Sequence, residues 1–266
     1  MQYHQIKIKT NSNERPSFFI GSTLRGAFGH ALKETTCINP TYKCKGCFAK
    51  DDCLYYAFYE ESQGYRPFRF EVGLGSSTYD FSLYLFFNEG REEHISDVVS
   101  ALKLMLSKYG LGKKLLKFPQ AQLSIETLTP LFHTNSLNSS STVTIKLITP
   151  SLLKDANSKI KTDLELEDIL TSIYKRKSFF EEGNAHVKMP FSPKYKIVSK
   201  KYNSSVKTSR QSSRQNKKIV LTGVTGELMV ENLDQESYKL LKYGEVVAVG
   251  NKTALGYGRI SIEQNI

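Results

Sequence analysis

Two residues three positions apart, His30 and Lys33, are the reactive pair this sequence presents most directly. An imidazole exchanges protons near neutral pH and an ammonium steadies developing negative charge, so neighbours of these types suit general acid–base work. Their spacing makes them neighbours only if they stand on a helix. The surrounding run supplies one: Leu24, Ala27, Phe28, Ala31 and Leu32 recur at helical spacing from about Ser22 to Thr36, and Ser22 or Thr23 is available as a cap. On a wheel of about 100° per residue, Arg25, Gly26, Gly29, His30 and Lys33 fall opposite that apolar stripe. An interior glycine costs a helix about 1 kcal/mol against alanine, so two on one face mark a close approach, by a ligand or by a second packed segment of protein. The alternative for His30 is an exposed histidine without a catalytic role. His4, His94, His133 and His186 are its competitors, with His186 the first of them because a basic segment follows it.

Immediately after this helix come Cys37, Cys44, Cys47 and Cys53, four cysteines within 17 residues. In a reducing compartment such spacing reads as a structural four-thiolate zinc site, with the Cys44–Cys47 pair supplying two ligands from one knuckle; an iron–sulfur cluster would use the same ligands. A closed four-thiolate site keeps no open coordination position, so it braces the chain and takes no part in catalysis. Lys43, Lys45 and Lys50 surround it and are placed either to lower the thiol pKa values or to touch a polyanion.

A third motif lies near the end of the sequence, Gly250-Asn-Lys-Thr-Ala-Leu-Gly256-Tyr-Gly258-Arg259, followed by the alternating strand Ile260-Ser-Ile262. Phosphate cradles of the dinucleotide and P-loop types need a helix after their glycines, and none follows here. A bulged hairpin and a phosphate-contacting loop offering Lys252, Gly256, Tyr257, Gly258 and Arg259 both remain open.

Charge points to the partner. The 266 residues carry a formal net charge of +11, of which +10 falls between Lys188 and Lys218, a stretch with ten Lys or Arg and no acid. That concentration favours nucleic acid first and an anionic membrane surface second. Arg210, Arg214, Lys217 and Lys218 are the best placed for phosphates, and Tyr195 and Tyr202 stand among the cations where bases could stack. The other reading is a solvated basic loop. No apolar run is long enough to span a bilayer, and Met1 to Lys9 alternates like a strand with no signal-peptide core, so a cytoplasmic protein with reduced thiols is expected.

The elements that must position these groups come in a repeated order. After the first strand and helix, strands are expected over Tyr65–Val72 and Tyr79–Phe87, a helix over Glu92–Tyr109 ending at Gly110, and a strand over Ala121–Leu128. The polar bridge Thr134–Thr142 separates an N-terminal domain, 1–135, with its cysteine-rich insertion at about 37–56, from a C-terminal domain, 142–266. There a strand (Val143–Ile148), a helix (Leu164–Lys175), a β pair within Ile219–Val230, a helix (Leu233–Lys242) and closing strand material (Val246–Ile262) follow. The fold class expected is α+β: two ferredoxin-like (RRM-like) domains in tandem.

In order along the chain, Leu24-Arg-Gly-Ala-Phe-Gly-His-Ala-Leu32, the four cysteines, Tyr109-Gly-Leu-Gly112, Leu147-Ile-Thr-Pro150, Arg210-Gln-Ser-Ser-Arg-Gln215, Gly223-Val-Thr-Gly226 and the final glycine loop resemble the RAMP-superfamily endoribonucleases that process CRISPR precursor RNA, in particular a branch with a cysteine-rich N-terminal domain. The resemblance covers nearly the whole sequence and rests on motif order. It implies metal-independent cleavage within a CRISPR repeat, leaving a 5′-hydroxyl and a 2′,3′-cyclic phosphate. Such cleavage needs a base for the 2′-hydroxyl, a cation for the phosphorane and an acid for the departing oxygen, and it assigns His30 and Lys33 to that work, with Arg25 and the glycine loop on RNA. A non-catalytic RAMP subunit holding guide RNA in an effector complex, and a general RNA-binding module, are the alternatives. The protein is expected to act as a monomer or homodimer.

Overall fold

The computed structural model describes residues 3–87, 94–128, 142–212 and 217–265. The chain divides into two compact units, Met1–Thr129 and Pro130–Ile266. The expected bridge Thr134–Thr142 lies outside the described residues apart from Thr142.

In the first unit β1 (Tyr3–Lys9) leads into α1 (Gly21–Thr36), β2 (Phe68–Glu71), β3 (Phe81–Leu85), α2 (His94–Leu104) and β4 (Gln122–Leu128). Every pairing is antiparallel and the strand order is β2-β3-β1-β4, the ferredoxin-like arrangement. Alternation in β1 sends His4, Ile6 and Ile8 to the core, where Ile6 faces Leu83 across the ladder. Phe28 of α1 sits among the rings of Phe58, Phe68 and Phe70 at centroid separations of 6.4, 6.0 and 5.8 Å. Neither Ser22 nor Thr23 caps α1; it starts one residue earlier, with Ile20 at the N-cap and no side-chain bond there. Two π-helical turns interrupt the α geometry, Tyr56–Glu60 after the cysteine segment and Met105–Tyr109 at the end of α2.

The second unit repeats the plan with β5 (Thr142–Ser151), α3 (Leu166–Glu182), β6 (Lys196–Ser212), β7 (Lys217–Glu231), α4 (Gln235–Val247) and β8 (Ile260–Asn265), in sheet order β6-β7-β5-β8. α3 begins in a reciprocal capping box between Glu165 and Asp168 and ends at Glu182, seven residues beyond the expected stop at Lys175, with Gly183 as its C-cap in the left-handed region. Asp234 caps α4 by accepting from the Ser237 amide at 2.8 Å. The expected pair within Ile219–Val230 is one strand. Its partner is the basic segment, which forms β6 and runs beside β7 from Lys196↔Glu231 to Ser212↔Lys217, with bulges between Ile197 and Ser199 and between Asn203 and Val206. β6 is an edge strand, where lysines discourage pairing with a further strand, so its low apolar content reflects position in the sheet. Among the described residues no helix is long and apolar enough to cross a membrane.

Candidate active site

The outward side of α1 is held by tyrosines that come from the two π-helical turns and the residues beside them. His30 is exposed, and its ring stacks on Tyr109 at a centroid separation of 6.0 Å and an interplanar angle of 23°. The Tyr109 hydroxyl donates to Glu34 Oε2, one turn along α1 from His30, and Lys108 Nζ meets Glu34 Oε1 at 2.6 Å. The hydrogen bond to Glu34, reinforced by burial, pushes the Tyr109 phenol up to about 12, while the bonds from Lys108 and Tyr109 hold the Glu34 carboxyl below its usual range. Near neutral pH this corner therefore presents a neutral phenol donor, a carboxylate and an ammonium around an accessible imidazole.

Lys33 engages a different partner. Its ammonium lies 4.9 Å from the centre of the Tyr55 ring; Tyr55 stacks on Tyr59 at 5.2 Å and 4°; and the Arg25 guanidinium stands 4.5 Å from the Tyr59 centroid. The result is a cation–ring–ring–cation ladder along α1, each cation–π step worth about 0.5–1 kcal/mol where exposed. Tyr59 also donates to the Arg25 carbonyl at 2.7 Å, and burial pushes its phenol well above the usual range. The two glycines part company here. Gly29 is buried, and a Cβ on it would come within 2.7 Å of Tyr59 Cε1, so at this position the close approach is made by the protein itself. Gly26 is exposed with open space around it.

The competing histidines are less suited to the role. His4 is buried in β1 with Nδ1 3.0 Å from Thr127 Oγ1. His94 opens α2 with Nδ1 3.6 Å from Asp97 Oδ2. His186 is exposed beyond α3, its amide donating to Asn184 Oδ1 at 2.9 Å. His133 lies outside the described residues.

All four cysteines are free thiols of intermediate exposure. The Cys47 amide donates to the Cys44 carbonyl at 3.2 Å, forming the expected knuckle, and Cys44 and Cys53 lie within electrostatic range of each other. Cys37 Sγ points towards the Asn39 carbonyl at 3.8 Å. Among the described residues no three His, Cys, Asp or Glu side chains converge to hold a metal, so the donor chemistry suits zinc while the arrangement does not close around one. Burial pushes the Cys44 thiol up despite the opposing charge of Lys33.

In the second unit the glycine loop is folded into the domain. Residues 253–258 are buried. Tyr257 is 4% exposed and its hydroxyl is bonded to Thr208 Oγ1, which corrects its assignment as an RNA contact. Gly256 lies in the left-handed region with its carbonyl accepting from Thr149 Oγ1 at 2.8 Å. At Gly258, φ is +72° and a Cβ would stand 1.8 Å from the Val249 carbonyl oxygen, so its freedom serves the strand-like approach of Val249. Gly256 and Gly258 are thus corrected from RNA contacts to scaffold. Gly250 is gripped by α3 from both sides: its amide donates to Ser172 Oγ at 2.8 Å and its carbonyl accepts from Arg176. Lys252 is exposed and Arg259 half-buried, so the charged members of the motif keep access to solvent.

The basic segment is also more committed to the protein than its composition suggests. Lys196 pairs with Glu231 at 2.8 Å, Lys200 with Glu165 at 2.6 Å and Lys201 with Glu227 at 3.3 Å. Tyr195 donates to Glu167 and Tyr202 to the Leu164 carbonyl, and both rings are half-buried. Arg210, Lys217 and Lys218 lie at the far end of the β6–β7 ladder, opposite Ile219, Ser212 and Gln211 respectively, and Arg214 falls outside the described residues.

A family model described as an N-terminal domain (AF_1859_N) matches residues 1–144, and the model of the CRISPR-associated endoribonuclease Cas6 matches residues 145–260. Residues 145–260 are thus similar to the Cas6 family. No curated protein matches it. Solved Cas6 structures share its fold end to end: one Cas6 product complex has a TM-score of 0.61 at 15% identity, covering 99% of this chain and 100% of that one. Another product complex gives 0.59 at 14% identity with 99% of both chains covered. A Thermus thermophilus Cas6 gives 0.52 at 14% identity and 98% of each. Sequence reasoning missed Tyr55, Tyr59, Glu34, Lys108 and the role of Tyr109. Only Tyr109 carried a signal, as the first residue of the Tyr109-Gly-Leu-Gly112 motif.

Proposed function

We propose that this chain is a Cas6-family endoribonuclease that cleaves CRISPR repeat RNA at the phosphodiester next to a ribose 2′-hydroxyl, with His30 as the general base. The 2′-oxygen loses its proton to the imidazole and bonds to phosphorus; the bond from phosphorus to the 5′-oxygen breaks; that oxygen takes a proton and leaves as a 5′-hydroxyl, with a 2′,3′-cyclic phosphate on the other product. Lys33, on the same side of α1, supplies positive charge to the phosphorane, and Tyr109 holds the imidazole in place. The observation that carries this reading is an accessible histidine, stacked by a tyrosine that is itself anchored to α1 through Glu34, in a chain whose residues 145–260 match the Cas6 family model.

Arg25, Lys252, Arg259, Arg210, Arg214, Lys217 and Lys218 are assigned to RNA phosphates, where arginine forks match the oxygens. The reaction uses only side chains of the protein. Purified protein should therefore cut repeat RNA in excess chelator, and a single 2′-deoxy substitution at the scissile nucleotide should abolish cutting. Cutting that survives the deoxy substitution rejects the mechanism. The four cysteines enter the proposal as a structural zinc site on their donor chemistry, the thiols having to draw together around the ion as it binds; elemental analysis of reduced protein that finds no metal rejects it. The protein is taken to act in the cytoplasm, as a monomer or homodimer, in isolation or joined to a CRISPR effector complex; light scattering of the purified protein alone, showing any larger assembly, rejects the oligomeric part.

A further inference from the structure

The cysteine-rich insertion shows an unusual surface. Ile38, Tyr42 and Phe48 are 70%, 51% and 76% exposed, three large apolar side chains within eleven residues. Scattered single apolar residues on a surface need no explanation, but a cluster on one short segment marks a contact. The same segment carries Lys43, Lys45 and Lys50, all exposed, followed by the exposed Asp51 and Asp52.

The insertion is firmly rooted despite its exposed tip. Leu54 and Phe58 are buried at its return, and Tyr59 locks onto α1. At the tip Tyr42 adopts φ +54°, a conformation uncommon for a residue with a bulky side chain. Asn39 holds it there: the Tyr42 amide donates to the Asn39 carbonyl at 2.9 Å, Asn39 Nδ2 donates to the Lys43 carbonyl at 3.0 Å, and Asn39 Oδ1 accepts from Thr41. The turn thus fixes a ring that points away from the domain's own core. Tyr42 also lies within electrostatic range of Tyr109, the ring on which His30 stacks.

We propose that the cysteine-rich insertion is an RNA-stacking finger, in which Phe48 and Tyr42 receive unpaired bases beside His30 while Lys43, Lys45 and Lys50 follow the phosphates. The inference rests on the RNA-cleavage reading above. Charge favours this occupant: in sequence Lys43 and Lys45 lie between the two rings, Lys50 follows Phe48, and the acids are confined to Asp51 and Asp52 beyond it, which complements a single strand whose bases stack on rings while its backbone meets cations. Elsewhere in the chain, the two tyrosines interleaved with the basic segment are half-buried, whereas Tyr42 and Phe48 are exposed.

The test is equilibrium binding of the full chain to repeat RNA made uncleavable by a 2′-deoxy nucleotide at the scissile position. Base–ring stacking is worth about 1–3 kcal/mol per base, so Phe48→Ala should weaken binding about 5- to 100-fold. Phe48→Tyr should stay within about threefold of the parent, because it keeps a ring. The melting temperature of both variants should match the parent, since Phe48 is outside the core. The triple variant Lys43→Gln, Lys45→Gln, Lys50→Gln should reduce the slope of log affinity against log salt by about 2. Affinity unchanged in Phe48→Ala, or lost equally in Phe48→Tyr, overturns the finger. Unchanged RNA affinity with an altered oligomeric state in light scattering assigns the surface to a protein partner and also overturns it. A parent that binds and cleaves repeat RNA alongside an unaffected Phe48→Ala variant rejects the finger alone; a parent that binds no repeat RNA rejects the cleavage reading and the finger with it.

Discussion

The N-terminal unit turns polar and aromatic groups outwards around α1, whereas the C-terminal unit, with the same strand order, draws its most conspicuous motif inwards. In the first, His30 stands accessible against Tyr109, and the cysteine segment carries exposed rings. In the second, the glycines from Gly250 to Gly258 are spent on a tight return of the chain against Val249, Leu152 and α3, and Tyr257 becomes core. One topology can thus be used as a platform or as a clasp. What separates the two uses is which hydrogen-bonding groups the fold itself consumes.

The largest effect that bears on this contrast is expected at the platform. His30→Ala should slow cleavage by about 10²- to 10⁴-fold while RNA affinity stays nearly constant, measured by single-turnover kinetics beside equilibrium binding. Full activity in that variant moves the chemistry to His186, His4 or a tyrosine and breaks the assignment of roles. Next comes the clasp. Gly258→Ala forces a side chain into a left-handed backbone position facing the Val249 carbonyl and should destabilise the protein by about 1–3 kcal/mol or more, read as a lowered denaturant midpoint. A neutral result would return Gly258 to the list of RNA contacts. The smallest effect should come from Gly26→Ala, on the exposed side of α1 with open space around it. Helix propensity alone predicts a gain of up to about 1 kcal/mol. Should the more stable variant cut poorly, RNA rather than protein makes the close approach at that glycine; unchanged cutting leaves Gly26 without a role in binding.

The architecture was largely legible from periodicity: α1 was expected over Ser22–Thr36 and spans Gly21–Thr36, and β4 was expected over Ala121–Leu128 and spans Gln122–Leu128. β6 was not, because an edge strand whose outward positions are lysines and serines shows little apolar alternation. His30 could be read from helical spacing, since one face of a helix is fixed by local geometry. Its surroundings could not: Tyr109 lies 79 positions further along the chain, and only tertiary packing brings its ring to α1. The glycine loop misled for a related reason. Positive φ serves approach by a ligand and approach by the protein's own carbonyls equally well, and spacing does not distinguish them.

Tyr109 owes its position to the π-helical turn Met105–Tyr109, which holds one residue more than an α-helical turn would. Winding the same five residues as α-helix would carry the final ring further round the helix axis, by close to the roughly 100° of one residue, without altering a single side chain. The pitch of this turn is therefore a variable as consequential as residue identity. A homologue one residue shorter in α2 would point its tyrosine the same way through an ordinary α-helical turn.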